Sequence, residues 1–218
     1  MIAGIIGMIV AFVIVVLVIF WGKRKLDPTI SLPLHNFLTS QGFTVIDRTD
    51  PIFDAIAAAC RLTLCDSYIE QIYKRAGGDY AVCWLSNVNG PTKHLVAAIP
   101  KADTRGTWVM LFIPGMRGVS GKIIRKGVEL TLSSKFRKAQ AGVLGQSAME
   151  YDLYVEKNDQ ITPFGDGFFH LLPQCGNVII RSAGPIVLVE RISLNRAEGG
   201  DQEAGELLRI TELLKSWL

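Results

Sequence analysis

From Ile2 to Trp21 the chain carries no charged side chain, and Ile, Val, Leu and Phe fill most of the run. Nothing else in the sequence constrains the fold so tightly. Twenty helical residues rise about 30 Å, the thickness of a bilayer's hydrocarbon core. Trp21 ends the run, where an indole favours the headgroup level, and Lys23, Arg24 and Lys25 follow at once. The run lacks the basic start and small-x-small cleavage site of a signal peptide, and no Cys follows it to take a lipid. A core helix of a small domain rarely stays apolar for so long without a polar stripe. The expectation is an uncleaved transmembrane anchor over residues 1–21, a tether over 22–33 and an α+β domain over 34–218. Positive flanks stay on the cytoplasmic side. The N-terminus is therefore expected outside and the C-terminal domain in the cytosol, in a single-pass protein of a bacterial inner membrane. Ala3, Gly7 and Ala11 recur every four residues and share one helix face. Small residues at that spacing let membrane helices approach closely, which would make a homodimer through the anchor; the competing reading is that small residues are common in such helices and this triplet lies near the outer end.

The 218 residues have a mean hydropathy of +0.30, and much of the apolar excess sits in the first 21. The remainder is long enough to bury a core without disulfides or metals. Cys60, Cys65, Cys83 and Cys175 lie in apolar surroundings without a disulfide-framework spacing, which predicts reduced, buried thiols.

Near the end of the tether, Ser31 can cap a first helix that Gly42 ends, and Phe43 to Ile46 reads as a short strand. Asp50-Pro51 opens a second helix, with cap and proline in their preferred places. Tyr80 to Val88 is apolar on both faces, Asn89-Gly90 signals a hairpin, and Lys93 to Ile99 is the return strand. Trp108 to Ile113 is another strand. Val128, Leu130 and Leu132 alternate with Glu129 and Thr131, as do Tyr151, Leu153 and Val155 with their polar neighbours, predicting two half-exposed strands. Phe168 to Leu172 reads as a short helix ended by Pro173. Asn177–Arg181 and Ile186–Arg191 form a hairpin, and Leu207, Ile210, Leu214 and Trp217 stripe a final helix. Short connections between strands predict a mainly antiparallel sheet packed by helices.

That order is a single span and basic stop, a β-rich middle with Tyr151-x-Leu-Tyr-Val155, a Phe-rich segment, a hairpin and an amphipathic helix. It resembles a loose set of bacterial single-pass membrane proteins of unknown function. The resemblance implies the anchor and the α+β cytosolic domain, and carries no functional residue with it.

No catalytic cluster stands out. Asp166 and His170 share a helix face near Cys175, but a Cys/His/Asp site needs a thiolate, a base and an orienting carboxylate in contact. The ordinary alternative is a helix-stabilising pair beside a buried thiol. Cys60 and Cys65 have loose zinc-ligand spacing without a second pair, and His35, His94 and His170 are scattered, so no metal or cofactor is expected. Gly115, Gly118 and Gly121 suggest a phosphate loop, but Met116 stands where its first glycine belongs and Ile123 follows Lys122 where a hydroxyl is required. A mobile loop is the simpler reading.

The least ordinary stretch is basic. Arg117, Lys122, Arg125, Lys126, Lys135, Arg137 and Lys138 face Glu129 alone, whereas residues 139–218 hold eleven acidic and six basic side chains. Such a surface suits anionic headgroups, each cation near them contributing on the order of 1 kcal/mol. A solvated face of strand and loop competes with that reading. One aromatic, Phe136, and no recognised motif argue against nucleic acid. The sequence thus reads as a membrane-tethered cytosolic module that binds a protein partner or an anionic membrane surface. The alternative is a membrane-anchored enzyme whose site comes from residues distant in sequence, and a third reading is a small-ligand sensor.

Overall fold

The computed structural model describes residues 31–64, 67–77, 79–87, 93–101, 106–114, 116, 118–139, 151–159, 166–192 and 200–217. In chain order these give α1 (Ser31–Ser40), β1 (Phe43–Val45), α2 (Pro51–Thr63), β2 (Ser67–Arg75), β3 (Ala81–Asn87), β4 (Lys93–Pro100) and β5 (Trp108–Phe112). Then come α3 (Gly118–Leu132), β6 (Phe136–Lys138), β7 (Asp152–Glu156), α4 (Asp166–Cys175), β8 (Val178–Ala183), β9 (Ile186–Arg191) and α5 (Gly200–Lys215).

The strands form one sheet in the order β1-β2-β3-β4-β9-β8-β5-β7-β6, antiparallel at every pairing. The last hairpin in the sequence, β8–β9, is inserted between β4 and β5 and so forms the middle of the sheet. Both edges are strands of three residues, too short to template pairing with another chain.

Period-two alternation divides the side chains between two faces. On one face Leu95, Ala97, Met110, Ile180 and Val189 pack beneath α1, α4 and α5, which contribute Leu38, Phe168 and Leu207. On the other face two cores lie side by side. Ile56, Ala59 and Cys60 of α2 cover Cys83, Val96, Ala98 and Leu188. Leu132 of α3, with Ile124 and Val128, covers Val109, Leu111, Tyr154 and Ile179. The architecture is α+β, with helices on both faces of a nine-stranded antiparallel sheet.

Local chemistry explains several boundaries. Asp50, in extended backbone, accepts from the Ile52 amide at 3.0 Å and caps α2, whose first residue is Pro51. Gly42 takes φ 79° just past α1, where a side chain would be strained. α4 continues through Pro173 to Cys175 instead of stopping at the proline, because Leu172 and Cys175 are buried against the sheet.

The structure corrects the expected fold class and localisation. Among the described residues no helix is long and apolar enough to cross a membrane. The longest, α5, has 16 residues and spans about 24 Å, with Asp201, Glu203 and Lys215 along it. The expectations of a transmembrane, single-pass, integral membrane protein with its N-terminus outside and a cytosolic domain therefore lose their support. The run Ile2–Trp21, with Ala3, Gly7 and Ala11, lies outside the described residues. So do residues 22–30 of the expected tether, whereas Ser31, Leu32 and Pro33, also expected in it, begin α1.

Three local expectations also change. Val128–Leu132 is helix, and Gly118–Lys122, expected in a loop, begins that helix. Ile124, Val128 and Leu132 are four apart, a spacing shared by periods of 2 and 3.6, and packing against β5 and β7 selects the helix. β7 is buried on both faces through Val155, where alternation predicted a half-exposed strand.

Candidate functional site

β7 is buried through Val155 because the charge of Asp152, its buried acid, is neutralised. Asp152 is 5% exposed. Its carboxylate meets Arg125 Nη1 from α3 and, at 2.5 Å, Lys138 Nζ from β6. The two cations reach it from neighbouring elements and tie α3 and β6 to the sheet. Next to it the Tyr154 hydroxyl is pushed up to about 12, first by burial and then by the Asp152 charge. Arg137 is exposed and donates to the Asp159 carbonyl at 3.5 Å. Of the basic residues named from the sequence, Arg125 and Lys138 therefore neutralise a buried acid. Lys122, Lys126 and Lys135 are exposed and make no ion pair among the described residues, and Arg117 lies outside them.

α3 presents two apolar stripes. The inner one is Ile124, Val128 and Leu132. Gly121 belongs to the same side, and a Cβ there would stand 2.1 Å from the Met116 carbonyl oxygen, so only glycine lets the helix start so close to the preceding chain. The outer stripe is Val119, Ile123 and Leu130, exposed by 74%, 66% and 67%. At 100° per residue these three and Lys126 lie within one narrow sector, diametrically opposite the inner stripe, with Lys122 alongside. A sequence reading that counts charge alone finds the lysines and misses the apolar residues between them.

A second feature lies where α2 and α3 fail to meet. Above the middle strands, a cleft of about 370 Å³ is lined by His94 of β4, Glu190 of β9, Arg181 of β8 and Val109 of β5. Thr63 and Leu64 close it from the α2 side, and Ile124 and Val128 from α3. Arg181 is only 7% exposed. Its Nη1 lies 2.6 Å from Glu190 Oε2, across the β8–β9 hairpin. Neither atom, nor Arg181 Nε, stands at an angle that makes a hydrogen bond, and His94 Nε2 is likewise buried without one. The sequence reading missed Arg181 and Glu190; the available signal was an arginine and an acid at the inward, otherwise apolar positions Ile179-x-Arg181-x-Ala183 and Ile186-x-Leu188-x-Glu190.

The remaining candidates do not assemble. Cys175 is buried, its Sγ donating to the Leu171 carbonyl at 3.6 Å, while His170 is exposed. Burial holds the Cys175 thiol up at about 11, so it offers no thiolate near neutral pH. The Asp166 side chain lies outside the described residues, as do Cys65 and Gly115. Cys60, Cys83 and Cys175 are free and buried, with Cys60 pushed up to about 12 by burial. Among the described residues no group of three His, Cys, Asp or Glu side chains could hold a metal. His35 Nδ1 lies 3.4 Å from the Tyr73 hydroxyl, which donates to Gln71 Oε1 at 2.8 Å, and Tyr73 belongs to the core on the opposite face of the sheet.

No family model matches the chain, and no curated protein does. Among solved structures the chain is similar to the crystal structure of the mycobacterial trehalose monomycolate transport factor A, TtfA. Identity is 12% and the TM-score 0.44, over 86% of this chain and 96% of that one. Nothing of that protein's role passes to this chain at such distance.

Proposed function

We propose that this protein is a surface-docking module whose α3 lies along an anionic lipid surface. The carrying observation is the outer stripe of α3, where Val119, Ile123 and Leu130 stand in solvent with Lys126 among them and Lys122 beside them. A helix that already buries Ile124, Val128 and Leu132 gains nothing from a second apolar stripe in water. An interfacial helix needs such a stripe, flanked by lysines. Each lysine near anionic headgroups contributes on the order of 1 kcal/mol, and each apolar side chain withdrawn from water about 1.5 kcal/mol or more. Lys135 and Arg137 sit just beyond the helix and extend the cationic surface. A protein partner would suit the stripe less well, because protein interfaces are depleted in lysine and enriched in aromatics, and the stripe has none.

Among the described residues every core side chain lies between Leu34 and Leu214, so a chain beginning at Ser31 keeps all three of these cores. That chain should sediment with vesicles containing acidic phospholipid and not with neutral ones. Raising salt from about 0.1 M to about 0.5 M should weaken binding, because the screening length shortens. Replacing Lys122 and Lys126 by Gln should weaken it about thirtyfold, and Ile123→Ser with Leu130→Ser at least as much. Equal binding to neutral vesicles, or no loss in either variant, would contradict the proposal.

A further inference from the structure

The cleft between α2 and α3 holds a charge pair where the fold asks for apolar residues. Its neighbours on the same face, Val96, Ala98, Val109, Ile179 and Leu188, are buried and apolar. A buried ion pair is commonly no more stabilising than well-packed hydrophobic residues of the same volume. This pair is poorer than most: Arg181 Nη1 and Glu190 Oε2 stand 2.6 Å apart without hydrogen-bond geometry, and the buried Arg181 Nε has no hydrogen-bond partner. Buried polar atoms normally find partners. The unpartnered Arg181 Nε, the ion-paired Arg181 Nη1 and Glu190 Oε2 with hydrogen-bonding capacity left over, and His94 Nε2, which donates or accepts, belong to residues that line one cleft of about 370 Å³, within the range of small-molecule sites.

We propose that this cleft binds a small uncharged ligand whose head both donates and accepts hydrogen bonds, as a carboxamide does, and whose short apolar body lies against Ile124 and Val128. Charge balance selects the head. Arg181 and Glu190 neutralise each other, so a carboxylate or an ammonium would leave a net charge in a nearly buried site, at high desolvation cost. A neutral head accepts from Arg181 Nε–H and Nη1–H through its oxygen and donates to Glu190 Oε2 through its N–H. His94 Nε2 takes a further contact. The outer stripe of α3 plays no part in this site, so it stands apart from the docking proposal.

Hexanamide tests it, with hexanoate and hexylammonium as charged controls, titrated into the chain beginning at Ser31 and followed by amide NMR shifts. Hexanamide should saturate with a dissociation constant on the order of 1 mM, about what eight non-hydrogen atoms deliver. The two ions should bind at least about tenfold more weakly. The double variant Arg181→Met with Glu190→Leu should keep or raise the melting temperature and lose hexanamide binding by about tenfold or more. Gly127→Leu supplies an independent check should that variant fail to fold. Gly127 lines the cleft and a Cβ there meets nothing within 4 Å, so the leucine adds bulk at the cleft without replacing either charge, and should also block hexanamide. Unsaturable hexanamide binding, tighter binding of either ion, or undiminished binding by both folded variants would overturn the assignment.

Discussion

Asp152 shows how much one side chain decides here. It buries a carboxylate in the sheet and binds two of the cations that make the region basic. Arg125 and Lys138 keep 25% and 56% of their side-chain exposure, so the pairing is partly solvated and worth well below a fully buried pair. Asp152→Asn should therefore lower unfolding free energy by about 1–2 kcal/mol in urea titrations. It should also release two cations and strengthen binding to acidic vesicles. The thiols give a second residue-level prediction. Burial raises Cys60 from its ordinary 9.0 to about 12. Between pH 9 and 12 the unfolded thiol ionises while the folded one stays protonated, so the contribution to stability is complete below 9 and is lost as pH rises through that window. The urea midpoint should fall from pH 9 upward, and less steeply in Cys60→Ala. The cysteines' apolar surroundings were legible in sequence. The partnership of Asp152 was not, because its cations come from α3 and β6, brought together only by the sheet.

At the scale of elements, α3 was the segment the sequence misplaced. Val128, Leu130 and Leu132 alternate as a strand does, and only the burial of Ile124, Val128 and Leu132 together, with Leu130 outside, shows the helical period. β2 escaped the sequence reading altogether. Its charged and apolar residues mix without clean alternation, and a register shift between Ile69 and Gln71 breaks the period. α2 was plain from Asp50-Pro51, since a cap followed by a first-turn proline is local chemistry. Two glycines within α3 should behave oppositely. Gly121→Ala drives a methyl against the Met116 carbonyl and should cost about 1–3 kcal/mol. Gly127→Ala meets nothing and should gain up to about 1 kcal/mol from helix propensity. Thermal melts of the two variants read both directions at once.

For the molecule as a whole, the sheet order explains where sequence reasoning stops. The antiparallel strands and their hairpins follow from local turns, but the insertion of β8–β9 between β4 and β5 is a long-range pairing that no local signal specifies. That insertion creates the cleft, and the pairing of β5 with β7 gives α3 its seat. α3 thus lies on one face of the sheet while α4 and α5 cover the other, so among the described residues the lysine-flanked apolar stripe belongs to one side of the sheet. A nitroxide placed at Ile123→Cys on α3, or at His170→Cys on α4, measures which side meets lipid. Cys65→Ser removes the thiol outside the described residues, and Cys60, Cys83 and Cys175 are buried, so labelling near neutral pH is selective. With acidic vesicles, the label at 123 should become accessible to oxygen and shielded from water-soluble relaxants, while the label at 170 stays in water. Equal water exposure at both positions would contradict the account.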